Sequence, residues 1–301
     1  MMLDQGISIL SKLKNRSKIL NIPYQQMLLL FFQEEFLRRL SKSLYMENFI
    51  LKGGLFIYTL THFQSRPTVD IDFSLNHLDS DLKTLNEIVS EILLTPTGYN
   101  HLVHFEIVKV EQISQHRKYP GVSFQLMASI NQIKVPFDID IGIGDIIVPK
   151  AQMRQIQTQL EGYQSPIVNT SSIESIIAEK FDAIIQRLEL TGRMKDFYDI
   201  YFLIHLFDFD GKLIGSAIKQ TLNNRGTKLT PERYLRFESL IKDPLIIQRW
   251  LNFIGNMKGE DLSFHEVLIS ISDFLRPIIK SIINDEQLHL EWKSKDQQWI
   301  L

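Results

Sequence analysis

The stretch "LKGGLFIYTLTHFQSRPTVDIDFSL", Leu51 to Leu75, decides how the chain is read. It changes periodicity twice. The overlapping run "NFILKG" is short, apolar and ends in glycine, which predicts a strand. Leu55 to Leu60 then reads as a helix beginning at Gly53-Gly54. Val69, Ile71 and Phe73 next alternate with Asp70, Asp72 and Ser74, the period of a strand. Strand, glycine turn, helix and return strand form one compact unit with acids at its far end.

Side chains at i and i+2 of a strand share a face, so Asp70 and Asp72 are expected side by side. Two close carboxylates repel unless one is protonated or a cation joins them. Magnesium suits such a pair, because it binds one or two carboxylates together with substrate phosphates. "VPFDIDIGIGD" repeats the pattern at Asp138 and Asp140. If that strand lies beside the first, one of these acids completes a triad able to hold two metals about 4 Å apart. The glycine pair permits a tight turn and leaves no Cβ against a ligand. A helix N-terminus there offers N–H groups to a phosphate. The plainer alternatives are a wet sheet face for the acids and an ordinary turn for the glycines.

Elsewhere, Ile7–Leu20, Tyr24–Leu40 and Leu78–Leu94 show helical spacing, with Pro23 placed to open the second of these helices. Three strands are expected at Val103–Val110, Val122–Ile130 and Ile133–Ile141, the last closed by Gly142 and Gly144. From Ser171 onward nearly every segment has helical periodicity, broken at Gly192, Gly211, Pro231, Pro244 and Gly259. The expected fold is α+β: a mixed sheet with flanking helices in residues 1–160 and an all-helical domain in 161–301.

The chain has 301 residues, a net charge of −2 and no cysteine. Thiolate metal sites and disulfides are therefore excluded. The weak net charge gives no general attraction to nucleic acid, so such binding needs a local patch. Lys212, Lys219, Arg225, Lys228, Arg233 and Arg236 form one candidate, with Glu232 as the single acid among them; a solvated helix face is the alternative. His101 and His104 lack persuasive metal-ligand spacing. The N-terminus makes a poor signal peptide. The run Met27–Phe32 is too short to span a bilayer. A cytoplasmic protein without a membrane partner is expected.

"KGG", "RPTVDIDF", "DIGIGD", "AEKFDAI" and "RMKDFYDIYFL" together resemble the AbiEii/AbiGii toxin family of nucleotidyltransferases, in the DNA polymerase β-like superfamily. The resemblance covers roughly Phe49 to Leu206. It implies a toxin of abortive-infection and toxin–antitoxin systems, with a cognate antitoxin as partner. By the same resemblance, Asp70, Asp72 and Asp140 are the metal ligands, with Asp140 preferred over Asp138. Lys180 and Asp199 join them as catalytic residues. Lys52, Gly53, Gly54, Arg66, Thr68 and Asp196 bind nucleotide. Many relatives carry a small hydroxyl residue after the glycines, where this chain has Leu55.

The implied reaction is Mg²⁺-dependent transfer of a nucleotide from an NTP to an RNA acceptor, first of all the tRNA 3′ end, with release of pyrophosphate and arrest of growth. Nucleotidylation of a protein hydroxyl and a non-catalytic nucleotide- or partner-binding module are the alternatives.

Overall fold

The computed structural model describes residues 2–113, 121–257 and 261–301; the expected break at Gly259 lies outside them. Two compact units are present. One is Met1–Asp145 with Ala151–Ser171, the other Ile146–Lys150 with Ser172–Leu301.

The first unit runs α1 (Met2–Ile19), α2 (Tyr24–Lys42), β1 (Phe49–Lys52), α3 (Gly53–Leu60), β2 (Ile71–Leu75), α4 (Leu82–Leu94), β3 (Val103–Ile113), β4 (Gly121–Ile130), β5 (Ile133–Ile143), β6 (Gln152–Gln155) and β7 (Ile167–Thr170). All its strands join one sheet in the order β3-β4-β5-β2-β1-β7-β6. β1 is antiparallel to β2, whereas β2 lies parallel to β5 and β1 parallel to β7, so the expected mixed sheet is present. Ile71, Phe73, Ile139 and Ile141 are fully buried on one face of the central strands. Residues of the intervening parity, Asp72 and Asp140 among them, point the other way.

Local chemistry moves several boundaries. α4 starts at Leu82 rather than Leu78, because the Asp81 side chain accepts from the amides of Lys83 and Thr84 at 2.9 and 3.0 Å. β2 begins only at Ile71, which leaves Asp70 in its lead-in and Val69 exposed instead of aligned beneath Ile71. Gly142 lies inside β5, and Gly144, at φ 83°, follows its end.

Every residue of α2 from Met27 to Leu40 is buried, including Gln33, Glu34, Glu35, Arg38 and Arg39. A helix enclosed on all sides must satisfy its polar groups internally. Glu35 accepts from Arg38 Nε at 2.8 Å, from Arg39 Nε at 3.2 Å and from Thr97 Oγ1 at 2.6 Å. Arg39 Nη2 donates to the Val103 carbonyl at 2.7 Å. Glu34 Oε1 accepts from the Gln159 amide at 2.8 Å, and burial pushes this carboxyl up to about 7 against the pull of Arg38.

The second unit contains α5 (Ile173–Arg187), α6 (Met194–Leu206), β8 (Phe209–Asp210), α7 (Gly211–Arg225), α8 (Pro231–Ser239), α9 (Pro244–Ile254), α10 (Phe264–Ile283), β9 (Glu291–Lys293) and β10 (Gln298–Ile300). Gly211, Pro231 and Pro244 each open a helix, behind the caps Asp210, Thr230 and Asp243. The all-helical expectation needs one correction: β8, β9 and β10 form a small antiparallel sheet. Its strands are too short to show a period. Tryptophans pin it, with Trp292 Nε1 donating to the Ile204 carbonyl at 2.7 Å and Trp299 Nε1 to that of Phe274 at 3.0 Å. No helix among the described residues is long and apolar enough to cross a membrane.

Candidate active site

Four strands of the first unit align one residue each in a single row. Lys52 on β1 is the register partner of Asp72 on β2, Asp72 that of Asp140 on β5, and Asp140 that of Ser123 on β4. Directly opposed residues of neighbouring strands project from the same face, here across a strand spacing of about 4.8 Å. Asp72 and Asp140 therefore stand side by side. Ser123 Oγ donates to Asp140 Oδ1 at 2.6 Å and fixes that carboxylate from the outer side. Asp138 pairs with Gln125 instead, and the ladder between β2 and β5 begins one residue beyond it, at Ile71 and Ile139.

Asp70 precedes β2, so no ladder holds it. Its approach is fixed from α2, where Gln33 Nε2 donates to the Val69 carbonyl at 2.8 Å. Sequence reading passed over Gln33. The available signal was a lone amide inside the apolar run "MLLLFFQEEF".

The two glycines have separate reasons. Gly53 sits at φ 66°, and a Cβ there would lie 1.9 Å from Asp72 Oδ2. At Gly54 a Cβ would meet Thr68 Oγ1 at 2.8 Å. The missing side chains thus admit an aspartate and a threonine of the chain itself to the N-terminal end of α3. A carboxylate is electrostatically favoured there. Leu55, at the position where many relatives carry a small hydroxyl residue, is 1% exposed and belongs to the core. Thr68 brings a hydroxyl to this helix end from another direction. Arg66 is half-buried in the segment between α3 and β2.

Lys52 Nζ lies 2.5 Å from Asp145 Oδ2, and Ser74 Oγ donates to the same oxygen at 2.9 Å. A Cβ on Gly142, the register partner of Ser74, would stand 2.9 Å from that oxygen. Asp145 was not among the residues singled out from sequence.

In the second unit, Lys180 Nζ donates to Asp196 Oδ1 at 3.1 Å and to Asp199 Oδ2 at 2.6 Å. Arg193 Nε pairs with the other oxygen of Asp196. Both aspartates are buried, and the Lys180 side chain is 11% exposed. Burial raises the Asp196 carboxyl, but Lys180 and Arg193 outweigh it and hold the group below the usual carboxylate range. Asp196 lies in the first turn of α6, and its side chain is paired with these two cations.

The basic stretch is largely engaged within its own unit. Lys219 pairs with Asp285, Arg225 with Glu179 and Asp182, and Arg236 with Glu189. Arg233 Nε donates to the Ile185 carbonyl at 3.1 Å. Lys212 and Lys228 are exposed.

Among the described residues, no three His, Asp or Glu side chains stand together as a ready metal cage. Asp72 and Asp140 still fit magnesium's smaller demand for one or two carboxylates completed by substrate phosphates. Two adjacent acids on one sheet face call for a cation.

An open mixed sheet carrying paired acids beside a glycine-headed helix is the frame of a nucleotidyltransferase. Residues 35–274 match the family described as nucleotidyl transferase AbiEii toxin, type IV toxin–antitoxin system, and the chain belongs to that family. The protein JHP933 from Helicobacter pylori is similar in structure, at 15% identity and a TM-score of 0.46, over 84% of this chain and 94% of that one. Another H. pylori protein, described provisionally as a nucleotidyltransferase, shares 15% identity at a TM-score of 0.48, over 86% and 98% of the two chains. No curated protein matches the sequence.

Proposed function

We propose that this nucleotidyltransferase moves a nucleoside monophosphate from an NTP to an RNA 3′ end, first of all that of tRNA, in a Mg²⁺-dependent reaction that arrests growth. The observation that carries the metal-dependent chemistry is the register pairing of Asp72 with Asp140 beside the N-terminal end of α3. Asp72 and Asp140, with Asp70 at the lead-in to β2, would hold the Mg²⁺. Bound there, the metal neutralises phosphate charge and makes an acceptor hydroxyl more acidic.

The chain's own groups supply the rest. The α3 amides and the Thr68 hydroxyl receive the triphosphate at Gly53-Gly54, and Lys52 and Arg66 balance its charge. Asp140, already accepting from Ser123, helps take the proton of the acceptor hydroxyl. Lys180, with Asp196 and Asp199, is assigned to charge stabilisation and to positioning nucleotide or acceptor.

The choice of RNA follows from the family resemblance. The Lys212–Arg236 stretch adds little, since four of its six cations are already bonded within the unit. That engagement keeps a protein hydroxyl in view as the second acceptor. A cognate antitoxin is the expected partner.

The test incubates the full chain with Mg²⁺, each labelled NTP in turn and total tRNA, with Asp70→Ala as control. Label in RNA that disappears with Asp70→Ala supports the proposal. Label on protein alone selects the second acceptor. A chain that neither binds nor transfers any NTP overturns the reading.

A further inference from the structure

We propose that the cleft between α1 and the turn at residues 98–102 is an RNA-binding site remote from the acid row. It takes one nucleotide of the acceptor strand, with the base on Tyr99 and Tyr163 and the phosphate at Lys12. The inference rests on the reading of an RNA acceptor above.

The cleft has a volume of about 300 Å³, the lower end of the range for small-ligand sites. Gln5, Ser8 and Lys12 of α1 form one wall, and Tyr99, His101 and Tyr163 form the other. α1 is firmly seated. Ile9 and Leu13 are buried, and a Cβ on Gly6 would stand 2.6 Å from the Asn131 side chain. The wall that carries Lys12 is therefore a fixed one.

The opposite wall is built as a stacking platform. The rings of Tyr99 and Tyr163 stack with centroids 5.0 Å apart and planes 29° from parallel. Phe31 meets Tyr163 edge-on at 5.8 Å. Arg38, 1% exposed, brings its guanidinium carbon to 5.8 Å from the Tyr99 centroid and 5.7 Å from that of Tyr163. A cation so placed attracts the rings, and Arg38 is itself anchored on Glu35 at 2.8 Å. Rings held this way need little ordering when a planar ligand arrives.

The two walls select the ligand. Every base has a face that stacks on an aromatic ring, and a cation beside such a platform receives the backbone of a single strand. Ser8, Gln5 and the tyrosine hydroxyls add hydrogen-bonding groups, and no acid lines the cleft among the described residues. The cations continue beyond it. Arg16 stands one turn past Lys12 on the same face of α1, with Lys14 and Lys18 flanking it and no acid between them. That run suits the successive phosphates of a strand better than a lone nucleotide. α1 packs on α2, and α2 packs through Phe36 on Phe73, on the sheet face opposite Asp72 and Asp140. The site thus grips RNA away from the reacting end. α1 precedes residues 35–274, so the family match does not account for it.

The test follows binding of a fluorescein-labelled oligoadenylate of about twelve nucleotides to the full chain by anisotropy, over a range of salt. Tyr99→Ala should weaken binding about tenfold. Lys12→Met, at an exposed position, should weaken it about threefold and reduce the slope of log affinity against log salt by about 0.7, the mark of one lost phosphate contact. Lys12→Arg should restore the slope. In transfer, Lys12→Met should raise the KM for tRNA about threefold without raising that for NTP. A merely structural role would move neither the salt slope nor the KM for tRNA alone. Should Tyr99→Ala not fold, Lys12→Met and Lys12→Arg carry the test.

Excess AMP separates a strand from a free nucleotide. AMP that fails to displace the oligoadenylate supports the strand. AMP binding that depends on Tyr99 and Lys12, with oligoadenylate binding unchanged in both variants, makes this a free-nucleotide site and overturns the inference. Variants that match the parent in affinity and salt slope overturn it as well. A parent chain that neither binds oligoadenylate nor labels tRNA removes the RNA-acceptor reading itself. A parent that labels tRNA while these variants behave like it removes this inference alone.

Discussion

Acids are handled in opposite ways in the two units. In the first, Asp72 and Asp140 are held in register on neighbouring strands, and Asp140 leans on a neutral hydroxyl from Ser123. The lysine of the same row, Lys52, is held by Asp145. In the second, Asp196 and Asp199 share Lys180, and Asp196 also holds Arg193. The first arrangement sets two acids in register on one sheet face, half-buried. The second supplies its cations internally. Acidic residues alone therefore do not mark the chemistry; strand register and partial exposure in one cluster, full burial around Lys180 in the other, separate the two.

The sharpest way to break this contrast is to neutralise each acid pair. Asp72→Asn or Asp140→Asn should reduce nucleotidyl transfer by at least about a thousandfold, the scale of losing several kcal/mol of metal-borne stabilisation. The same variants should melt close to the parent, since both acids are half-buried rather than enclosed. A melting temperature that falls with activity would place these acids in the architecture instead.

Lys180→Met should do the reverse to stability. It removes the cation that two buried carboxylates share and leaves Asp196 with Arg193, a loss of about 3–5 kcal/mol, readable as a lowered urea midpoint. Lys180→Met/Asp199→Asn should recover part of it. An unchanged midpoint would show that Lys180 is dispensable to the unit's stability.

Glu34 tests a third acid, one kept neutral by burial. Its carboxyl is raised from 4.5 to about 7, so the native chain retains a proton that the unfolded chain loses. Stability contributed by that proton is present below pH 4.5, declines up to about 7 and is then gone. Glu34→Gln should abolish that slope and stand relatively more stable at pH 8 than at pH 4, by at most about 3 kcal/mol. Parallel curves for parent and variant would refute the burial account.

Gly53→Ala joins strain to collision. An alanine at φ 66° costs about 1–2 kcal/mol, and its Cβ displaces Asp72. Transfer should collapse while the melting temperature drops only modestly. Retained transfer would mean that Asp72 can act from elsewhere.

The legible part of the molecule was the part written in periods. The alternation of Ile71 and Phe73 with Asp72 and Ser74, and of β5 behind Pro136, located the central sheet strands. Proline and glycine punctuation located the starts of α7, α8 and α9. The acids were legible because a charge at every second position is conspicuous in an apolar strand. Register was not legible from periodicity, which treats Asp138 and Asp140 alike; the family motif favoured Asp140, and β5 laid against β2 sets that residue opposite Asp72. Asp145 was hidden because its importance lies in Lys52, 93 residues away in sequence. The β9–β10 hairpin was hidden because three-residue strands held by tryptophans carry no period.

The smallest expected effect separates a strand-borne acid from a loop-borne one. Asp72 is placed by a ladder on both sides, whereas Asp70 follows a carbonyl held by Gln33 of α2. A net hydrogen bond is worth about 1 kcal/mol, and the Val69 carbonyl stands beside an exposed residue where water can replace the amide. Gln33→Leu, close in volume and suited to a buried site, should therefore cost about 1 kcal/mol or less in stability. Its effect on chemistry should be larger than that cost suggests, because a metal ligand displaced by a fraction of an ångström loses geometry magnesium requires. The expected signature is a higher Mg²⁺ requirement with the KM for NTP little changed. The same substitution should leave the Mn²⁺ affinity of an Asp70→Ala chain unaltered, since Gln33 would have no ligand left to position. A further drop in that background would show that Gln33 serves the sheet at large rather than Asp70.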